Sequence, residues 1–367
     1  MDEYAAGDAF ELTGFRALRL ADSHVGDPVA HRILSRPYRA VPQRVRDWRA
    51  RGRLIQDQEA ALYLHEYTSH GVTVRGIVGA LALSTAGNRV HPHESVHLSQ
   101  VEQLVERMDA MGLNPAPILL MHRGPAEVRA ALDAISAEPP HFVYTDRADQ
   151  LHRLWQVRER EAESAIVRGL RGAHLMIADG HHRYEAAQRL RDRHPGTDWE
   201  RTLVMVVDQA DTPLQLGAIH RSVPRLSFDT VEETAARLDA EWTVQPNSHR
   251  ALAHLDRALV LHDGTAWATL RPRQPVDLMV CWLHERLLPA WGVAEKSVGH
   301  HHSASDAMAR AGTATAVLLP APSFAQVAAS ARSGKLLPQK ASSFQPKPHA
   351  GVLMQQMHDE SVDPTAH

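Results

Sequence analysis

The stretch His174-Leu175-Met176-Ile177-Ala178-Asp179-Gly180-His181-His182-Arg183-Tyr184-Glu185-Ala186-Ala187 decides how this chain is read. Its opening residues, His174–Ala178, form a run of strand length. Asp179-Gly180 is a turn signal, and His182–Arg193 carries helical spacing. A buried strand that ends in a glycine turn and feeds a helix presents backbone N–H groups at the helix N-terminus, which makes an anion site. Five of the seven residues from Asp179 to Glu185 are charged or imidazole, and the loop lies at a strand's carboxyl end, where α/β proteins place ligands. Arg183 adds a forked donor suited to phosphate. Asp179 is able to cap the helix, hold a metal or accept a proton, and the three roles stay open.

The same alternation continues on both sides of this stretch. Upstream, a helical pattern covers about Val41 to Arg53. Ala60–Tyr67 and Val72–Leu83 flank Ser69-His70-Gly71 as a hairpin. Leu98, Val101, Leu104, Val105 and Met108 share one helical face, Pro115–Met121 has the composition of a buried strand, and Ala126–Ile135 is a further helix. Helix Arg158–Arg168 precedes the central stretch, and strand Thr202–Val207 follows it. Downstream, Asp263-Gly264 marks a hairpin over Ala258–Leu270, and Lys335–Met354 is extended but punctuated by prolines. The fold class expected is α/β (α+β) with a mixed sheet. The division expected is residues 1–225, then a C-terminal α/β part over 226–356, then a disordered tail over 357–367.

Composition narrows the function classes. The 367 residues carry a formal charge of −3, which argues against a general grip on nucleic acid or an anionic membrane, so anion binding has to be local. No helix-turn-helix with a basic recognition face is present, and Lys335, Lys340 and Lys347 are too sparse for a nucleic-acid patch. The acidic start has no apolar signal region and no run reaches membrane-span length, so a cytoplasmic location is expected, with no membrane partner. The single Cys281, inside an apolar run, excludes an internal disulfide and reads as a core thiol. The 25 histidines would make the chain strongly cationic near pH 5.

The string Ile177-Ala178-Asp179-Gly180-His181-His182-Arg183-Tyr184-Glu185 resembles the signature of the DUF1015 family. Other segments agree in order: Phe15-Arg16-Ala17-Leu18, Arg36-Pro37-Tyr38, Arg75-Gly76-Ile77-Val78-Gly79, Pro92-His93-Glu94, Leu154-Trp155, His220-Arg221 and Leu337-Pro338-Gln339-Lys340-Ala341-Ser342-Ser343-Phe344-Gln345-Pro346-Lys347. The Asp-Gly-His-His-Arg segment also looks like the Asp-Gly-His-Thr-Arg segment of free-serine kinases of the ParB/sulfiredoxin-like superfamily. That resemblance implies a ParB/sulfiredoxin-like core and an amino-acid kinase using ATP or ADP with Mg²⁺. Glu94 would be the base on the substrate hydroxyl, and Asp179 and His181 would be catalytic. Gly180, His182, Arg183, Lys340, Ser342 and Lys347 would lie on the phosphates, and His93, His220 and Arg221 are further candidates for substrate contact. The chemistry agrees, since phosphoryl transfer needs positioning, charge neutralisation and a carboxylate for the attacking hydroxyl. The chain departs from the family at Arg39, where an aspartate is common, and at Gln339, Ala341, Ser343 and Gln345.

Competing assignments exist for several of these residues. His91-Pro92-His93-Glu94 with His97 could be a metal cluster, or Glu94 a plain helix-start carboxylate. His300-His301-His302 reads as a solvated turn, His220-Arg221 as a core-edge ion pair or a substrate contact, and Trp155 as core. The alternative function is a non-catalytic nucleotide-binding regulator.

Overall fold

The computed structural model describes residues 9–27, 34, 41–87 and 89–357; Arg36-Pro37-Tyr38-Arg39 and the expected tail from 358 onward lie outside the described residues. The chain forms two compact units. The first contains residues 1–92, 96–214 and 346–367, and the second 93–95 and 215–345.

The first unit is built on a nine-stranded mixed sheet. Its strand order is Val90–His91, Leu175–Asp179, Ile118–His122, Arg201–Asp208, Val72–Ala82, Leu62–Ser69, Leu151–Val157 and Phe142–Thr145, with Leu12–Thr13 added along Val72–Ala82. Leu175–Asp179 runs parallel to Val90–His91 and antiparallel to Ile118–His122, which in turn is parallel to Arg201–Asp208. Strands Ile118–His122 and Arg201–Asp208 are apolar throughout their middles and almost wholly buried, as expected of strands covered on both faces. Leu175 and Ile177 are fully buried, each contributing about 1.5–3 kcal/mol of apolar burial that fixes where the strand ends. Helices Ala126–Ala137 and Arg160–Leu170 supply Val128, Leu132, Ile166 and Leu170 to the main core. Helices Leu98–Met111 and His181–Arg193 close a second cluster through Val101, Val105, Met108, Ala186, Leu190, Trp199 and Met357. Leu98, expected on that buried face, is instead 62% exposed, because it stands at the helix's first position.

The second unit carries a six-stranded antiparallel sheet in the order Ala240–Gln245, Trp267–Pro272, Leu259–His262, Ala314–Leu318, His220–Pro224 and Gly299–His301. The hairpin signal at Asp263-Gly264 holds. Gly264 has φ +107°, and the Asp263 carboxylate accepts from the Thr265 and Ala266 backbone N–H groups.

The α/β class with a mixed sheet is as expected, while the boundaries differ. The second unit starts at 215 rather than 226, because Gln215–Gly217 already pairs with Ser343–Gln345. The end of the expected C-terminal part returns to the first unit, because Met354–Gln356 pairs with Ala17–Leu20 and with Leu113–Asn114. Met357, placed in the expected tail, is buried there. Of the three tandem histidines, His300 and His301 differ from a solvated turn, since Gly299–His301 is an edge strand paired with His220–Ser222, while His302 lies in an exposed bend beyond it.

Candidate functional site

In the first unit the strand Leu175–Asp179 ends at Gly180, whose φ of +98° is a left-handed conformation that suits glycine, and the helix begins at His181. A Cβ at Gly180 would stand 3.0 Å from the Arg183 guanidinium, so glycine also lets that group fold back over the turn. No side chain caps the helix. Asp179, one turn before Arg183, accepts from its Nη2 at 2.7 Å and faces Lys347 Nζ at 2.5 Å. Burial acts upward on this carboxyl; Lys347 and then Arg183 outweigh it and hold the pKa at about 2. Asp179 therefore stays ionised, flanked by two cations.

Arg183 is turned partly inward. Its Nη1 donates to the carbonyls of Ala116 (2.9 Å) and Pro117 (2.7 Å), just before strand Ile118–His122, so the guanidinium joins that strand's entry to Asp179. Lys347 is placed by two residues with no signal in the sequence. The buried Tyr67 hydroxyl donates to Pro346 O (2.9 Å), and buried Gln150 Nε2 donates to Lys347 O (3.1 Å). His181 adds charge that favours the ionised Asp179. His182 Nε2 accepts from the His97 backbone N–H at 3.0 Å, which links the starts of two helices.

In the second unit Glu94 and the late segment form a separate polar group. Leu337 N donates to His93 O (2.8 Å), and Ser95 N to Leu337 O (3.2 Å), which lays His93–Ser95 alongside the late chain. The Glu94 carboxylate accepts from the Lys340 backbone N–H at 2.7 Å, and Lys340 has a left-handed φ of +56°, costly for a non-glycine residue. Buried His93 Nε2 lies 2.9 Å from Ser342 Oγ, with its ring edge-on to Phe344. Arg221 is fully buried. It donates to Ile219 O (2.6 Å) and Lys340 O (2.9 Å) and faces His284 Nε2 (3.2 Å), whose Nδ1 reaches Glu295 (3.0 Å). Burial pulls Arg221 down to about 10, against the upward pull of Glu94 and Glu295. His220 is held at about 4 by burial and then by Arg221, so it is neutral at pH 7, and its Nδ1 accepts from Leu319 N.

Thus Asp179, Gly180, Arg183 and Lys347 come together in one unit, and His93, Glu94, Arg221, Lys340 and Ser342 in the other. Neither His220 nor Arg221 forms an ion pair with a carboxylate among the described residues: Arg221 donates to carbonyls and faces His284, and His220 accepts from Leu319 N. The His91–His97 segment is no metal cluster among the described residues: His91 stacks on His174, His93 turns to Ser342, and Glu94 to Lys340. His284 and Glu295 had no linear signal; His284 sits in a π-helical turn, Leu283–Leu287, a feature frequent at functional sites. The departures Gln339, Ala341 and Ser343 fit locally. The Gln339 carbonyl faces Arg221, Ala341 is buried, and Ser343 Oγ lies 3.2 Å from His302 Nδ1. Cys281 and Trp155 are buried, as expected, and no helix of the described residues is long and apolar enough to cross a membrane.

The structure is similar to a free serine kinase in complex with AMP, at 14% identity and a TM-score of 0.44, over 76% of this chain and 91% of that one. It is also similar to SbnI with C-terminal truncation from Staphylococcus aureus (13%, TM-score 0.43, 75% and 85%) and to a conserved hypothetical protein from Pyrococcus furiosus (14%, TM-score 0.41, 75% and 93%). No curated protein matches the sequence. A family described as "Protein of unknown function (DUF1015)" matches residues 10–293, most of the chain, and with the Asp-Gly-His-His-Arg turn at its centre the protein belongs to the DUF1015 family.

Proposed function

We propose that this protein is a small-molecule phosphotransferase that moves a phosphoryl group from ATP or ADP to the hydroxyl of a free amino acid such as serine. The observation that carries this reading is the ionised Asp179 held between Lys347 and Arg183 on a glycine turn at a helix N-terminus. Such a turn offers a positive helix end to phosphate. Lys347, 39% exposed at its side chain, is able to leave Asp179 for a phosphate oxygen, while Arg183, tied to two carbonyls, keeps Asp179 in place.

One ionised, partly exposed carboxylate fits Mg²⁺, which takes most of its ligands from phosphate and water. Asp179 would hold the ion, which supplies charge neutralisation on the transferring phosphate. By its resemblance to the kinase base, Glu94 is assigned the acceptor's proton. As the hydroxyl oxygen bonds to the terminal phosphorus, its O–H proton passes to the Glu94 carboxylate, and the bond to the nucleotide's bridging oxygen breaks with its electron pair on the nucleotide. Lys340 and Ser342, expected on the phosphates, are here reassigned with His93 to the substrate's polar groups, because they lie against Glu94 and His93, with Arg221 holding the Lys340 carbonyl.

Phosphorus NMR of the purified protein with ATP or ADP, Mg²⁺ and a panel of hydroxy amino acids tests this. A new phosphomonoester signal, reduced about 10²- to 10⁴-fold in rate by Glu94→Gln with nucleotide binding retained, is the expected result. Nucleotide-dependent thermal stabilisation without any product would favour a regulator, a reading to which the inward ties of Arg183 lend support.

A further inference from the structure

A second constellation lies in the first unit and has no part in the proposed transfer. Asp146 follows strand Phe142–Thr145 and opens a tight turn, in which its Oδ1 accepts from the backbone N–H groups of Ala148 (2.8 Å) and Gln150 (3.0 Å). Its Oδ2 faces His152 Nε2 at 3.1 Å and His349 Nδ1, and ligand-capable atoms of all three residues lie within 4.8 Å of one another. The Asp146 and His152 side chains have no exposed surface, whereas His349 is 32% exposed and gives the cluster a door to solvent.

Two features separate this cluster from an ordinary buried hydrogen-bond network. First, a buried carboxylate ordinarily has a lysine or arginine partner. Among the described residues the ion-pair partners of Asp146 are imidazoles only. Second, the remaining nitrogen of His152 is held from behind. His152 Nδ1 lies 3.1 Å from buried His65 Nε2, the rings stack at 5.3 Å, and Tyr144 packs on the other side at 5.0 Å. An imidazole whose far nitrogen is fixed by an outer partner has the preparation typical of a metal ligand.

We propose that His152 Nε2, His349 Nδ1 and Asp146 Oδ2 form a binding site for a divalent transition-metal ion of the Zn²⁺ class, with a further coordination position open to water or an added ligand. Two imidazole nitrogens and one carboxylate select such an ion over Mg²⁺, which prefers oxygen. On binding, both imidazoles carry their proton on the nitrogen away from the ion: His349 on Nε2, and His152 on Nδ1, from which it hydrogen-bonds to His65 Nε2 while the proton of His65 moves to its own Nδ1. The site stands whether or not the chain transfers phosphate. It shares one clamp with Lys347, since Gln150 also accepts from the His349 backbone N–H at 3.2 Å.

The test uses the full chain, stripped with chelator and titrated with Zn²⁺ in excess Mg²⁺, alongside His349→Ala and His249→Ala. His249→Ala alters an exposed histidine remote in sequence and controls for the many others. One tight zinc per chain is expected in the unaltered protein and in His249→Ala. In His349→Ala the affinity should fall by more than the roughly tenfold that loss of even an outer-shell partner costs. Equal zinc affinity in His349→Ala and the unaltered chain would overturn the proposal, as would no tight zinc in the unaltered chain. Co²⁺ added to the unaltered chain is a second arm that depends on no variant. Intense visible bands of a four- or five-coordinate ion support the site, and the pale spectrum of hexaaqua cobalt overturns it.

Discussion

The Asp179–Lys347 contact makes the most quantitative prediction. Two cations displace the Asp179 carboxyl from an ordinary value of 3.8 to about 2 despite burial. At 1.36 kcal/mol per pH unit this corresponds to about 2 kcal/mol in favour of the ionised form. Lys347 is the larger of the two cationic influences, but its side chain is 39% exposed, and solvent screening lowers its share to about 1 kcal/mol. The sign follows from the depressed carboxyl. The stabilisation is fully present above the ordinary value of 3.8 and is lost as pH falls through about 2. A double-mutant cycle of Asp179→Asn and Lys347→Met isolates the pair, because each single change removes the same charge contact. Urea unfolding of the four proteins, followed by tryptophan fluorescence and repeated from pH 7 downward, is the assay. A coupling of about 1 kcal/mol at pH 7 that fades below pH 4 is expected. A coupling that stays constant down to the lowest pH at which the chain folds would refute the electrostatic account, as would one too small to measure at pH 7.

The turn and the second unit supply two further predictions. Gly180→Ala forces a Cβ into a left-handed turn and against the Arg183 guanidinium, so thermal unfolding should report a loss of about 1–3 kcal/mol, together with weaker nucleotide binding by thermal shift. His220, at about 4 in the folded chain against 6.5 ordinarily, binds its proton more readily when unfolded. Its contribution is complete above pH 6.5 and is lost as pH falls through 4. His220→Asn, which offers an oxygen to the Leu319 N–H in place of Nδ1, should flatten the fall in urea stability over that window. An unchanged slope in His220→Asn would show that another group governs it.

The parts of this protein that were legible in the sequence are those whose residues lie close together in the chain. The apolar run before Asp179-Gly180, the helix after it, the His70-Gly71 hairpin and the Asp263-Gly264 turn all follow from local pattern and backbone chemistry, and the structure places them as expected. The late segment was legible only in composition. Its residues are short extended pieces between prolines, and nothing local tells Lys340 and Ser342 to join Glu94 and Lys347 to join Asp179. That sorting is done by backbone bonds over more than two hundred residues, from Leu337 to His93 and from Met354–Gln356 to Ala17–Leu20. Three successive chemical groups of one segment are thereby divided between two units within seven residues of chain, a division at Gln345/Pro346 that no periodicity marks.

The histidines show the same limit from the other side. Their number, 25, read as a pH-dependent charge, yet the structure sets many of them against one another or against carboxylates: His65 with His152, His91 with His174, His152 and His349 with Asp146, and His284 with Glu295. Pairing of this kind depends on strand register. His65 meets His152 because Leu151–Val157 lies antiparallel to Leu62–Ser69 with Leu154 opposite His65, and a one-residue slip would send one ring to the opposite face. The chemistry attributed to the imidazoles is thus a consequence of the sheet rather than of their abundance, and the zinc titration above tests one place where the register assembles them.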